Sequence, residues 1–106
     1  MPKFLIQGSY SREGLAGLMR EGATGRTAAV KKLYEQVGGK IDALYWALGE
    51  NDVFAVVDLP DAVAATSAAF AINASGAAEV RTTPLLTAEE VDKAAKHTLD
   101  YRPPGK

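Results

Sequence analysis

The chain has 106 residues, 47 % of them hydrophobic and 24 % charged, with a formal net charge of -1 and no cysteine. That size and balance predict one ordinary soluble globular domain with a single core, and they argue against a disordered or membrane chain. The missing cysteine excludes disulfides, thiolate metal sites, iron–sulfur clusters and thiol catalysis, and the near-zero charge predicts no general attraction to nucleic acid or to an anionic membrane.

Lys3 to Gly8 reads as a strand, with Phe4 and Ile6 on one face and Lys3, Leu5 and Gln7 on the other. Ser11 is placed to cap a short helix in which Leu15, Leu18 and Met19 fall at helical spacing, and Gly22-Ala23-Thr24-Gly25 interrupts it. Thr27 starts or restarts a helix whose Val30, Leu33, Tyr34 and Val37 form the i, i+3, i+4, i+7 stripe that packs on a sheet. Gly38-Gly39 ends it, because glycine accepts the left-handed cap conformation.

Ile41 to Leu48 is the second strand, with Leu44, Trp46 and Leu48 on one side and Ile41, Ala43, Tyr45 and Ala47 on the other. Gly49 to Asp52 has the length and composition of a hairpin corner, so the apolar run Val53-Phe54-Ala55-Val56-Val57 is expected to pair antiparallel with that strand. A run apolar on both faces needs cover on both faces, and so small a domain has too little helix to provide it. A second copy of the chain is the expected cover.

Pro60 fits a first helical turn capped by Asp58 or Asp61, after which Val63, Ser67, Phe70 and Ala74 line one face and alanines the other. Gly76 closes this helix, Ala78 to Thr83 forms a fourth strand, and Thr87-Ala88-Glu89-Glu90 is a capping box for a last helix through about His97. The order predicts an α+β fold, a ferredoxin-like βαββαβ antiparallel sheet with helices on one face plus a C-terminal helix. Residues 1–98 are read as the domain and 99–106 as a Pro-containing tail. The sheet face without helices is too apolar to face water, so dimerisation into a barrel-like sandwich is expected.

Charge is uneven along the chain. Ile41 to Val80 contains no Lys or Arg, whereas Tyr10 to Lys40 holds Arg12, Arg20, Arg26, Lys31, Lys32 and Lys40 against three glutamates. Solvated faces that orient an oligomer account for this better than a nucleic-acid surface, which needs clustered basic residues with interleaved aromatics. Met1-Pro2-Lys3 leads straight into strand residues, and no apolar run nears the roughly 20 residues that span a bilayer. A cytoplasmic location is the expectation.

Taken in order, Val37-Gly38-Gly39-Lys40-Ile41, Leu44-Tyr45-Trp46-Ala47-Leu48-Gly49, the Gly49-Glu50-Asn51-Asp52-Val53 corner, Asp58-Leu59-Pro60-Asp61 and Val80-Arg81-Thr82 resemble the GYD-domain family. The family is named for a Gly-x-Tyr-Asp corner between the second and third strands. Gly49 and Asp52 match that signature, and Asn51 stands where the tyrosine belongs. The resemblance implies a place among the dimeric α+β barrels, whose members include small monooxygenases, isomerases and decarboxylase-like proteins that bind ligands between sheet and helices. It implies no particular activity, since that fold hosts many functions.

Two groups are candidate proton carriers. Asp52 either bonds backbone N–H groups at the corner or serves as a base beside Trp46 and Phe54, and His97 is the only imidazole, placed near a helix C-terminus. One histidine and no cysteine make a haem or zinc site weak, and neither metal nor cofactor is expected. The Gly22-Ala23-Thr24-Gly25-Arg26-Thr27 segment lacks the Gly-Lys-Ser/Thr ending of a phosphate loop and reads as a connector. Gln7, Tyr10, Tyr45, Trp46 and Arg81 are expected to converge on a half-open pocket for an organic acid or aromatic compound, sought on the sheet face. The favoured reading is a homo-oligomeric small-ligand-binding or accessory protein. A cofactor-independent isomerase or monooxygenase acting on a small aromatic or lactone-like substrate, and a structural subunit of a larger assembly, are the alternatives.

Overall fold

A computed structural model describes all residues from 1 to 106. Four strands, β1 (Lys3–Tyr10), β2 (Lys40–Trp46), β3 (Val53–Asp58) and β4 (Ala78–Leu85), form one sheet in the order β2-β3-β1-β4, with every neighbouring pair antiparallel. Helices α1 (Arg12–Glu21) and α2 (Ala23–Glu35) join β1 to β2, α3 (Ala62–Ala74) joins β3 to β4, and α4 (Ala88–Ala95) follows β4. This is the ferredoxin-like α+β arrangement that the element order predicts.

The strand pairing generates two sets of cross-strand rows. On the helix side run Ile41, Val57, Phe4 and Pro84; then Leu44, Ala55, Ile6 and Thr82; then Trp46, Val53, Gly8 and Val80. On the other side run Ala43, Val56, Leu5 and Thr83, and beside them Tyr45, Phe54, Gln7 and Arg81. The buried core lies wholly on the helix side: Phe4, Ile6, Ala55 and Val57 from the sheet meet Tyr34, Leu59, Ala65 and Ala68. Val57 and Leu59 are fully sealed from solvent, and each such side chain contributes roughly 1.5–3 kcal/mol relative to an exposed one.

Local chemistry sets the element ends. Ser11 Oγ accepts the Gly14 N–H and caps α1; Asp61 Oδ1 accepts the Ala64 N–H and caps α3. Thr87 and Glu90 bond each other's backbone N–H reciprocally at the start of α4, the capping box read from sequence. The break between α1 and α2 is a single residue, Gly22, at φ 86°, which a side chain would strain. Ala23 through Thr27 are therefore the first turns of α2 and not a loop, and Thr27 Oγ1 donates to the Ala23 carbonyl within that helix.

Three further features differ from the sequence reading. β2 carries a register irregularity between Ile41 and Ala43, so Ile41 joins Leu44 and Trp46 on the helix side instead of Ala43 and Tyr45. On α3 the alanines face the sheet, with Ala65 and Ala68 buried, while Val63 and Phe70 are exposed; Pro60 lies before the Asp61 cap. Small residues there let the helix sit close to its neighbours. Last, α4 ends at Ala95, short of His97, and every residue from Leu86 to Lys106 is exposed. This projecting segment gives the chain a 55 Å long axis and a radius of gyration of 16.9 Å, against about 13 Å for a compact domain near this length.

Candidate functional site

The helix-side rows leave a cavity of about 690 Å³ between the sheet and the α1–α2 pair, inside the ~300–1,000 Å³ range of small-molecule sites. Its sheet wall comes from Ile6, Leu44, Trp46, Val53 and Ala55, and its helix wall from Leu18, Val30, Leu33 and Tyr34. The helical spacing read from sequence put Leu18, Val30, Leu33 and Tyr34 on apolar stripes, and these stripes are what the cavity uses. Glu13, Arg20, Glu21 and Arg26 supply its charged groups.

A close backbone contact helps to form the wall. Ser11 donates from both its N–H and its hydroxyl to the Ala77 carbonyl, at 2.9 Å and 3.2 Å. The approach is so tight that a Cβ on Gly14 would lie 1.8 Å from the same oxygen, so only glycine fits.

Polar order inside the cavity starts with Trp46, whose indole N–H donates to the Tyr10 hydroxyl at 3.1 Å. The phenol accepts that bond and keeps its own O–H to donate. Burial pushes the Tyr34 phenol up to about 12, because desolvation disfavours the phenolate. Arg26 Nη1 stands 3.6 Å from Glu21 Oε1, while its Nε is buried with no hydrogen-bond partner in the chain.

The structure divides the predicted ligand set. Tyr10 and Trp46 meet at the cavity, whereas Gln7, Tyr45 and Arg81 share a row on the opposite face of the sheet. The five do not converge, because Tyr45 and Trp46 are adjacent in one strand and successive side chains point to opposite faces. The cavity lies on the helix side of the sheet, away from the open face where a ligand was sought.

Asp52 neither lines the cavity nor bonds within its own corner through its carboxylate. Oδ2 accepts the Tyr10 N–H at 2.9 Å, the Asp52 N–H donates to the Gly8 carbonyl at 2.8 Å, and the Asp52 carbonyl accepts the Ala47 N–H at 2.9 Å. The first two bonds tie the corner to the end of β1, the segment that presents Tyr10, and the third closes the hairpin onto the residue after β2. His97 is exposed beyond the end of α4 and absent from the cavity wall. No three His, Cys, Asp or Glu side chains converge as a metal site requires.

The open face has its own order. Lys3 Nζ bridges Asp42 and Asp58, the second at 2.8 Å, and Leu5, Ala43, Tyr45, Phe54 and Val56 form an adjoining apolar surface. Lys3 holds the Asp58 carboxyl below its usual range, and the two carboxylates raise Lys3 in turn.

Fold and cavity define a small ferredoxin-like α+β protein with an apolar, ligand-sized chamber between its sheet and a helix pair. The chain belongs to the GYD-domain family, which matches residues 4–95. No curated protein and no solved structure matched the chain. No helix is long and apolar enough to cross a membrane.

Proposed function

We propose that this GYD-domain protein is a homo-oligomer that binds a small organic ligand between its sheet and the α1–α2 pair. The observation that carries the reading is the cavity: about 690 Å³, largely apolar, with the Trp46 and Tyr10 pair on its wall. A space of that size in a core of so few buried residues leaves many dispersion contacts unmade, and an apolar guest supplies them. Self-association is supported by the open sheet face, where Leu5, Phe54 and Val56 lie without helix cover.

Native mass spectrometry of protein purified from its host tests the ligand reading. A mass excess of one small molecule per chain, lost on denaturation, is the expected result. Protein of the bare chain mass that also fails to take up any of a panel of small aromatic and aliphatic compounds overturns it.

A further inference from the structure

We propose that the cavity selects an organic acid, holding the apolar body between the Trp46 and Tyr10 pair and the Leu18, Leu33 wall while the carboxylate pairs with the Arg26 guanidinium. The inference rests on the ligand-binding reading above and adds the ligand's charge and the residue that reads it. Arg26 lines the cavity with a side chain 37 % exposed, while its Nε is covered, so any contact to a guest comes from the rest of the guanidinium. Its one ionic contact, to Glu21 Oε1 at 3.6 Å, uses Nη1 and is longer than a charge-assisted hydrogen bond. The two terminal nitrogens of a guanidinium form an edge that a carboxylate engages through two parallel bonds.

Neighbouring charges restrict the guest to one acidic group. Arg20 lines the same cavity and makes no ion pair, so the wall carries a second guanidinium not committed to a carboxylate. Glu13 and Glu21 line it as well and disfavour a second carboxylate by like-charge repulsion. A neutral ligand of the same shape fills the apolar chamber but offers the Arg26 guanidinium only an uncharged acceptor, the weaker partner.

Trp46 is the only tryptophan and lies on the cavity wall, so its fluorescence reports occupancy. The full chain is titrated with 4-phenylbutanoate and with its uncharged analogue 4-phenylbutanamide. The acid is expected to bind at least about tenfold tighter than the amide, the scale of a charged hydrogen bond set against a neutral one. Arg26→Gln is expected to shrink that ratio to within about twofold, and Arg26→Lys, which keeps the charge without the fork, to fall between. Equal binding of acid and amide by the natural chain, or a ratio that survives in Arg26→Gln, overturns the acid proposal and leaves the cavity reading standing. Binding of neither probe by a folded natural chain counts against the cavity reading and removes the acid proposal with it.

Discussion

Trp46 and Tyr10 are joined across the sheet, indole N–H to phenol oxygen at 3.1 Å, although their strands β2 and β1 are not neighbours and β3 lies between them. The bond spans the Val53 and Gly8 positions of one cross-strand row, and at Gly8 a Cβ would approach Val80 Cγ1 to 2.9 Å and Val53 Cγ1 to 3.1 Å, so the flanking valines leave no room for a side chain there. Tyr10→Phe removes the acceptor and leaves the indole N–H unpaired. A loss of about 1 kcal/mol in denaturant unfolding is expected, with a changed Trp46 emission in the folded state. Unchanged stability together with unchanged emission contradicts this account of the pair.

Asp52 is expected to act on architecture. Its carboxylate holds the Tyr10 N–H, so Asp52→Ala should cost roughly 1–2 kcal/mol, whereas Asp52→Asn keeps an oxygen acceptor and should recover more than half of that loss. Equilibrium unfolding of the two variants beside the natural chain checks the order. Should Asp52→Ala be as stable as the natural chain, the corner does not depend on this bond.

Alkaline conditions single out Tyr34. Its folded-state value of about 12 lies above the ordinary 10.0, so the contribution is fully present below about pH 10 and is lost as pH rises toward about 12. In that window the unfolded chain releases the phenolic proton and the folded chain keeps it. Up to about 3 kcal/mol is at stake for a shift of this size. Tyr34→Phe cannot ionise, so it should gain on the natural chain between about pH 9 and pH 12, while Lys3 titrates alike in both and cancels. A stability gap that stays constant across the window refutes the assignment.

At the acid end the Lys3 cluster acts in the opposite sense. Asp58 is depressed by Lys3, so its contribution holds above the usual carboxylate range and disappears as pH falls through the lowered value. Lys3→Met should flatten the acid side of the stability profile, measured by thermal unfolding between about pH 2 and pH 5, where the natural chain loses its ion pairs. An acid limb of identical steepness in both proteins removes the cluster from the account.

Oligomerisation is expected to depend on the uncovered rows. Leu5→Glu combined with Val56→Glu places two adjacent carboxylates at the centre of the open face and leaves the core side untouched. Sedimentation should show a dimer or larger species for the natural chain at micromolar concentration and a folded monomer for the double variant. A natural chain that sediments as a monomer defeats the self-association proposal.

Much of the fold was readable because hydrophobic spacing and capping agree along this chain. Ser11, Asp61 and Thr87 act at helix starts, and the alternation of Phe4 and Ile6 with Leu5 and Gln7 assigns the faces of β1. Ile41 escaped that logic because the irregularity in β2 arises from pairing with β3, and nothing local in Lys40-Ile41-Asp42-Ala43 marks it. On α3, a helix apolar on nearly every side offers no amphipathic contrast. Close packing, which favours Ala65 and Ala68 over Phe70, decided which side faces inward.

The site was half readable. Tyr10 and Trp46 were singled out as aromatics, yet period-two alternation already separates Trp46 from Tyr45 and Tyr10 from Gln7. Arg26 was assigned to a connector because Gly22 and Gly25 suggested a loop. Only the helical continuation from Ala23 carries it to the chamber. Its spacing was the available signal, since Arg26, Val30 and Leu33 follow i, i+4, i+7.

The contact between Gly14 and the Ala77 carbonyl affects how the chamber can change over evolutionary time. Where that wall is main chain against main chain, no side-chain replacement can enlarge it, and any addition at Gly14 collides with backbone. Leu18, Val30 and Leu33 can each gain or lose a methylene within an intact helix. In the proposed binding role, guest selectivity is adjustable from the helical wall and fixed at the glycine, and a drift in ligand preference would be recorded first in those three aliphatic positions.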